Sequence, residues 1–258
     1  MTAAPMLADF SIRLAFGLAV LILMISWRAV PLAFFRTQAQ VILGLLVLAA
    51  LDQARAGGQT WALGVIVTAA ISAYLSAVAW GLGLPRFGLA TAGLAVLAAA
   101  AWMAAASGRP PSAGLWSLDA SSRLTSGFLL GATLTAMLLG HYYLTAPAMT
   151  IDPLKRVVAL LAWGLGTRCI LAAIELWAVQ ARLLGAGARP IDPGALIFLA
   201  VRWGMGFVAA GISTYLTWKT AEIRSTQSAT GILYITMIFV LFGELTSLIL
   251  TGREGVGL

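Results

Sequence analysis

The sequence is poor in charge, cysteine and histidine, and each shortage excludes a class of protein. Only 10% of the 258 residues are charged, which is too few to cover a water-soluble globule of this length. The single cysteine, Cys169, excludes a disulfide within the chain and any multi-cysteine metal site. The single histidine, His141, excludes a bis-histidine haem held by this chain alone, because that haem takes two axial ligands.

Motifs of self-contained catalysis are also missing. The chain has no phosphate-binding GxxxxGK[ST], no HExxH and no GxSxG, and its glycine-rich stretches lie in apolar runs where they indicate helix packing. We therefore expect no nucleotide-driven pump and no metal site in this chain. If the protein belongs to an enzyme, we expect it to be at most a non-catalytic subunit of an oxidoreductase complex.

Long apolar runs make up most of what is present. Hydrophobic residues are 61% of the chain and the mean hydropathy is +0.96. A helix needs about 20 apolar residues to cross a bilayer. Eight runs reach that length, at residues 8–27, 32–51, 60–83, 88–107, 124–146, 155–181, 195–218 and 229–251. They predict an all-α integral membrane protein, a bundle of about eight transmembrane helices with short loops, forming a single polytopic domain over 1–258.

The net charge of +7 comes from basic residues scattered at the ends of the apolar runs, where lipid headgroups attract them. This pattern favours the lipid bilayer as partner and no nucleic acid. Seven bases fall on the face opposite the termini: Arg28, Arg36, Arg86, Lys155, Arg156, Lys219 and Arg224. Seven more fall on the face of the termini: Arg13, Arg55, Arg109, Arg123, Arg182, Arg189 and Arg253. The count is tied, and we expect a bacterial inner membrane with the termini outside.

Four charged residues lie too far from the ends of their predicted spans to be placed in loops: Arg168 and Glu175 in the sixth, Arg202 in the seventh and Glu244 in the eighth. A charge facing lipid at the helix centre costs about 2.5 to 3.5 kcal/mol on insertion scales. At about 1.5 Å of rise per residue, the four side chains fall in one layer, where bases and acids can pair. Such an intramembrane charge layer either fixes helix packing or forms a substrate, quinone or proton site.

His141, Tyr142 and Tyr143 form the second candidate site, near the end of the fifth predicted span. The tyrosines fit an aromatic belt at the membrane interface, with His141 as a polar neighbour. The alternative is a shallow quinone or lipid-headgroup site, in which the tyrosines flank the ring and His141 hydrogen-bonds it.

These features leave three hypotheses for function. The first is a membrane-embedded subunit of a larger bacterial-type complex, a quinone-interacting or anchoring subunit of a respiratory redox assembly, because eight spans with minimal loops suggest dependence on other protein subunits. The alternative is a small-molecule or proton-coupled secondary transporter that uses the charge layer. The third is a structural scaffold subunit, whose charges only pack.

Overall fold

The computed structural model describes residues 6–57, 59–106, 113–146, 149–185 and 193–254, and every regular element in these ranges is a helix. Residues Arg202–Ala209 form a π-helix that joins α7 to α8. In chain order the α-helices are α1 (Met6–Met24), α2 (Leu32–Arg55), α3 (Thr60–Gly81), α4 (Pro85–Ala106), α5 (Ala113–Thr145), α6 (Asp152–Gly185), α7 (Pro193–Val201), α8 (Ala210–Glu222) and α9 (Thr226–Glu254).

Eight helical segments of the described chain are long and apolar enough to cross a membrane, which confirms the predicted all-α membrane bundle. The seventh, Leu196–Glu222, consists of most of α7, the π-helix and α8. Large apolar side chains cover the outside of the bundle: Trp163 is 74% exposed and Leu97 is 68% exposed. Such a surface is suited to contact with lipid. The predicted loops over residues 107–112 and 186–192 lie outside the described residues.

The fifth helix is longer than its apolar run. It was predicted to begin at residue 124 and begins at Ala113. Arg123 Nε bonds Asp119 Oδ2 at 3.1 Å, one helical turn away, so two polar residues that interrupt the apolar pattern stabilise each other within the helix. Hydropathy alone therefore places the start of this helix too late.

Helix α1 lies at the centre of the bundle. It packs against α2, α4 and α5, and 67% of its span is buried, against 28% for the seventh span. The antiparallel neighbours α2, α3 and α4 pack in sequence on one side of α1. On the other side, α5 contacts α6 and α9, and α9 contacts the π-helix and α8. The contact between α1 and α5 thus joins the two halves of the chain.

Glycines allow two of these helix pairs to touch through their backbones. A Cβ on Gly17 of α1 would lie 1.8 Å from the carbonyl oxygen of Gly127 on α5. A Cβ on Gly206 of the π-helix would lie 2.8 Å from Cα of Gly243 on α9. In a bilayer the hydrophobic effect does not drive helices together, because lipid tails are as apolar as the helix surfaces. Close contacts between small residues drive helix association instead. Both contacts lie beside the charged residues described next.

Candidate functional site: a buried charge network

The structure brings the four predicted intramembrane charges together. Arg168 Nε on α6 lies 3.2 Å from Glu244 Oε1 on α9, and Arg168 Nη1 lies 3.5 Å from Glu175 Oε2. Arg202 Nη2 lies 4.0 Å from the same Glu175 oxygen. All four side chains are buried. The layer predicted from depth along each helix therefore exists as a set of contacts between α6, the π-helix and α9.

A serine of α9 completes this layer. Ser247 Oγ accepts a hydrogen bond from Arg168 Nη2 at 3.2 Å and a second one from Arg202 Nη1. It lies three residues after Glu244, on the same face of the helix. The hydroxyl therefore bridges two guanidinium groups that would otherwise repel each other.

A second group of buried charges was not predicted. Arg13 Nη2 lies 2.7 Å from Asp9 Oδ2 within α1, and Arg123 Nη1 on α5 lies 3.1 Å from Asp9 Oδ1. Arg13 and Arg123 are predicted near the membrane face that carries the termini; there Arg13 is buried inside the bundle, and Arg123 is 12% exposed and paired with two acids. The signal was present in the sequence: Asp9–Arg13 and Asp119–Arg123 are both acid–base pairs at i, i+4 spacing on an apolar helix.

Ser126 of α5 joins the two groups. Its hydroxyl donates to Glu244 Oε2 at 2.5 Å and accepts from Arg13 Nη1 at 3.4 Å. The result is one continuous structure, here named the charge network. Its members are the arginines 13, 123, 168 and 202, the acids Asp9, Asp119, Glu175 and Glu244, and the hydroxyls of Ser126 and Ser247.

The glycine contacts position this network. Gly243 precedes Glu244, so its backbone contact with Gly206 holds the Glu244 carboxylate beside the π-helix that carries Arg202. Gly17 lies one turn after Arg13, and its contact with Gly127 holds Arg13 beside Ser126. A larger residue at either crossing would separate the helices and with them the charged groups.

The network is partly exposed at one end and buried at the other. The side chain of Asp119 is 29% exposed, that of Arg123 is 12% exposed and that of Arg168 is 1% exposed. Asp9 and Asp119 lie near the starts of α1 and α5, which begin on the face of the bundle that carries the termini. The network therefore reaches water at that face and ends among buried groups inside the membrane.

Arg202 is the least satisfied member of the network. It is 1% exposed and is the first residue of the π-helix, a rare element that often marks functional sites in membrane and soluble helices. Its Nη1 donates to Ser247, and its guanidinium carbon lies 5.8 Å from the ring centre of Phe207. Among the described residues, its Nε and Nη2 have no hydrogen-bond partner. A buried guanidinium with unmet donors is chemically suited to receive an anion.

The side chains of the other predicted site, His141, Tyr142 and Tyr143, lie in three different environments. Tyr143 is buried and its hydroxyl donates to the carbonyl of Thr150 at 2.5 Å. Tyr142 packs edge-on against Phe34, with 6.0 Å between ring centres. His141 is exposed on the outer surface, and its Nδ1 lies 3.4 Å from the hydroxyl of Tyr234 on α9. Successive residues of a helix point about 100° apart, so the three neighbours do not share a face.

No group of three metal-ligating side chains occurs among the described residues, and the acids of the charge network are each paired with arginine. The network therefore consists of ion pairs between arginine and carboxylate groups, bridged by two serine hydroxyls. No known protein family matches the chain, and no characterised protein or solved structure shows significant similarity to it.

Proposed function

We propose that the protein is a secondary transporter whose substrate and coupling-ion site is the charge network. The observation that carries the proposal is the continuous path of charged side chains from partly exposed Asp119 to fully buried Arg202. Ionisable residues inside membrane proteins are costly and are characteristic of substrate and proton pathways. A scaffold has no need of a charge path that reaches water at one end and has unmet donors at the other.

The seventh span supports the same proposal. Transporters commonly bind substrate near the bilayer midplane, at helices whose regular hydrogen bonding is interrupted. Here the interruption is the π-helix Arg202–Ala209, and it begins at the residue with unmet donors. The glycine contact with α9 joins this segment to Glu244, so a movement of the π-helix would change the contacts of the network directly.

Transport by the purified protein tests the proposal. We expect proteoliposomes loaded with a pH-sensitive dye to show solute-dependent flux or pH change when offered a panel of organic acids, amino acids, sugars and inorganic ions. Glu244→Gln should lower the flux about tenfold or more, which corresponds to about 1.4 kcal/mol, because it removes the charge that holds Arg168. Glu222→Gln is the matched control, since Glu222 is an exposed acid paired with Lys219 outside the network.

Folded protein that moves no solute of the panel faster than protein-free liposomes would refute the transporter proposal. An equal flux in wild type and Glu244→Gln would show that the network takes no part in transport.

A specific observation favours a second candidate, the quinone-interacting subunit of a redox complex. His141 and Tyr234 form an exposed polar pair on the surface that faces lipid, and quinones reach their sites from the bilayer. An imidazole and a phenol can both hydrogen-bond the carbonyl oxygens of a quinone ring. Stable partner subunits with visible redox cofactors, recovered together with this chain, would favour this candidate over the transporter.

For location, we propose a bacterial inner membrane with the termini outside. Arg13 is buried in the bundle, and Arg123, 12% exposed, is paired with Asp9 and Asp119, so both bases belong to the charge network rather than to the loops of the face of the termini. By sequence position, seven bases then remain near the opposite face and five near the face of the termini. The excess of Lys and Arg marks the cytoplasmic side. The open end of the charge network would then face the outside of the cell.

A further inference from the structure

The two unmet donors of Arg202 lie on one edge of its guanidinium group. In arginine the Nε–H and one Nη2–H point in the same direction and form a fork of two parallel donors. Nη1, on the other side of the group, is engaged by Ser247. The side chain is 1% exposed, so bulk water does not compete for this fork. The structure thus presents a complete two-donor edge inside the membrane.

A carboxylate matches such a fork with two coplanar oxygens, each accepting one hydrogen bond. We propose that Arg202 binds the carboxylate group of the substrate through Nε and Nη2, and that Glu175 takes up one proton when the substrate binds. This inference rests on the proposed transport function for its biological meaning and names the substrate class of that site. It makes the protein a carboxylate–proton cotransporter.

Electroneutrality provides the reason for the proton. The charge network holds four arginines and four acids, so it is neutral when all eight are ionised. A bound carboxylate would add one negative charge in a region that is shielded from water, where an unpaired charge is very costly. One proton taken from water restores neutrality. The balance is a carboxylate anion plus a proton entering from water, with the Glu175 carboxylate becoming a carboxylic acid and no electrons moving.

Of the two acids that contact Arg168, Glu175 makes the longer contacts. Its closest contacts are 3.5 Å to Arg168 Nη1 and 4.0 Å to Arg202 Nη2. Glu244 has a contact of 3.2 Å to Arg168 and accepts a hydrogen bond of 2.5 Å from Ser126. Glu175 also approaches Arg202 on the Nη2 side, where the substrate would bind, so the two carboxylates compete for one guanidinium.

The charged groups around Glu175 come from three elements. Arg168 lies on its own helix, Arg202 on the π-helix and Glu244 on α9. From α5, Arg123 is directed at Asp9 and Asp119. When substrate binds, Arg202 is neutralised by the substrate and Arg168 remains paired with Glu244. With Glu175 protonated, Arg202 and Arg168 therefore each still have one negatively charged partner.

Charge distinguishes a carboxylate from the dianionic form of phosphate at this site. A dianion would need two protons to keep the network neutral, whereas a carboxylate needs one. The carboxylate can come from a small solute that enters at the exposed end of the network or from a fatty acid in the bilayer. An apolar groove of ≈ 440 Å³ between α6 and the seventh span is lined in part by Phe207, whose ring centre lies 5.8 Å from the guanidinium carbon of Arg202.

The test is equilibrium binding to the purified protein in lipid nanodiscs at neutral pH. The ligands are acetate, its neutral isostere acetamide, decanoate and inorganic phosphate, with calorimetry in two buffers of different ionisation enthalpy to count protons. We expect acetate or decanoate to bind with uptake of one proton, and acetamide not to bind. Acetate binding identifies a solute as the source of the carboxylate, and binding of decanoate alone identifies the bilayer.

Two variants assign the roles. Arg202→Lys keeps the charge but removes the two-donor fork, and should weaken binding about tenfold or more. Arg36→Lys makes the same change at an exposed site and should leave binding unchanged. Glu175→Gln resembles the protonated acid, so it should bind the carboxylate at least as well as wild type but without proton uptake.

Failure to bind either carboxylate, binding by wild type without proton uptake, or full affinity in Arg202→Lys would each overturn the inference. The wild-type and Glu175→Gln measurements remain decisive if Arg202→Lys does not fold. These outcomes differ from those that would refute the transport proposal. Flux of a solute that has no carboxylate would contradict this inference but support transport. Carboxylate binding without flux would support the binding site but contradict transport.

Discussion

At the scale of single residues, the buried charges of this protein are stable only as a set. Arg168 is held by Glu244, Glu175 and Ser247, and its side chain is 1% exposed. Loss of one partner of a buried ion pair is destabilising by about 3 to 5 kcal/mol, because the other charge stays buried without compensation. The net charge of the network is zero when all eight ionisable groups are ionised, so the loss of any one charge leaves an unpaired charge in the bundle. Any ligand that changes the total must bring or release a compensating charge.

A prediction at this scale concerns His141. In membranes containing the protein, a photoreactive azido-quinone should label the chain near His141 and Tyr234 if this pair contacts a quinone, and excess ubiquinone should suppress the labelling. His141→Ala and Tyr234→Phe should each reduce labelling several-fold, because each removes a hydrogen bond to the ring. Mass spectrometry of the labelled peptides measures the effect.

Tyr143→Phe is the internal control for this labelling. Tyr143 is adjacent in sequence, but its hydroxyl is engaged by the carbonyl of Thr150 inside the protein. The change should cost about 1 kcal/mol of stability through that hydrogen bond and leave labelling intact. Equal labelling of wild type and His141→Ala would contradict a quinone role and leave the pair as part of an interfacial aromatic belt.

At the scale of elements, two close helix crossings and one irregular helix position the charges. The α1–α5 crossing at Gly17 and Gly127 brings Arg13 to Ser126, and the crossing at Gly206 and Gly243 brings Glu244 to the π-helix. Neither crossing involves charged atoms directly. They control how closely the helices approach, and the side chains one turn away pair as a result.

The prediction at this scale is that Gly17→Ala destabilises the bundle. The new Cβ would lie 1.8 Å from a backbone oxygen of α5, which cannot move aside as a flexible side chain would, so the helices must separate. Overpacking of this kind costs about 1 to 3 kcal/mol. Thermal unfolding in detergent, followed by circular dichroism, measures the loss.

Gly44→Ala on α2 provides the control, since its Cβ would meet no atom within 4 Å. It should be neutral or slightly stabilising, because alanine has the higher helix propensity. A Gly17→Ala protein as stable as Gly44→Ala would show that the α1–α5 crossing is not tightly packed.

At the scale of the whole molecule, the two ends of the bundle differ in character. Among the described residues, the charge network is most exposed at Asp119 and Arg123, near the start of α5. The opposite end holds the turns before α2, α4, α6 and α9. Side chains near these turns form an ion pair between Lys219 and Glu222 and a cation–aromatic contact between Arg28 and Trp27. The exposed end of the charge network therefore lies at one end of the bundle, and the side of the membrane it faces depends on orientation.

Labelling of introduced cysteines in intact cells tests both topology and orientation, in a background where Cys169 is replaced by alanine. Ala56→Cys follows α2, whereas Asp152→Cys begins α6 and Ile223→Cys follows α8. An impermeant maleimide should label position 56 in intact cells, and positions 152 and 223 only after permeabilisation. This pattern follows from the predicted termini-outside orientation.

The two claims fail separately. Labelling of 56 and 152 under the same conditions would contradict the number of spans between them. The reverse pattern, with 152 and 223 labelled in intact cells, would keep the fold and place the opening of the charge network in the cytoplasm.

Hydropathy and the positions of the charges were enough to predict the membrane environment, the helical fold and the four central charges of the network. Hydropathy over about 20 residues is a local property, so the eight spans could be found without knowing how helices pack. The four charges at Arg168, Glu175, Arg202 and Glu244 could be assigned to the interior because lipid does not tolerate them. Their depth along each helix also predicted that they share one layer.

Which of these groups meet, and through which atoms, depends on how helices that are distant in the sequence pack together. Ser126 contacts Glu244 across 118 residues of sequence and Arg13 across 113, and no local pattern specifies such pairs. They depend on the rotation of each helix about its axis and on crossings set by backbone contact at glycine. The pairing of Arg13 and Arg123 with acids was not predicted for that reason, because polar residues near the ends of an apolar run are found either at headgroups or inside the bundle. The free edge of Arg202 likewise exists only because Ser247 and Phe207, from two different elements, take the remaining sides of its guanidinium group.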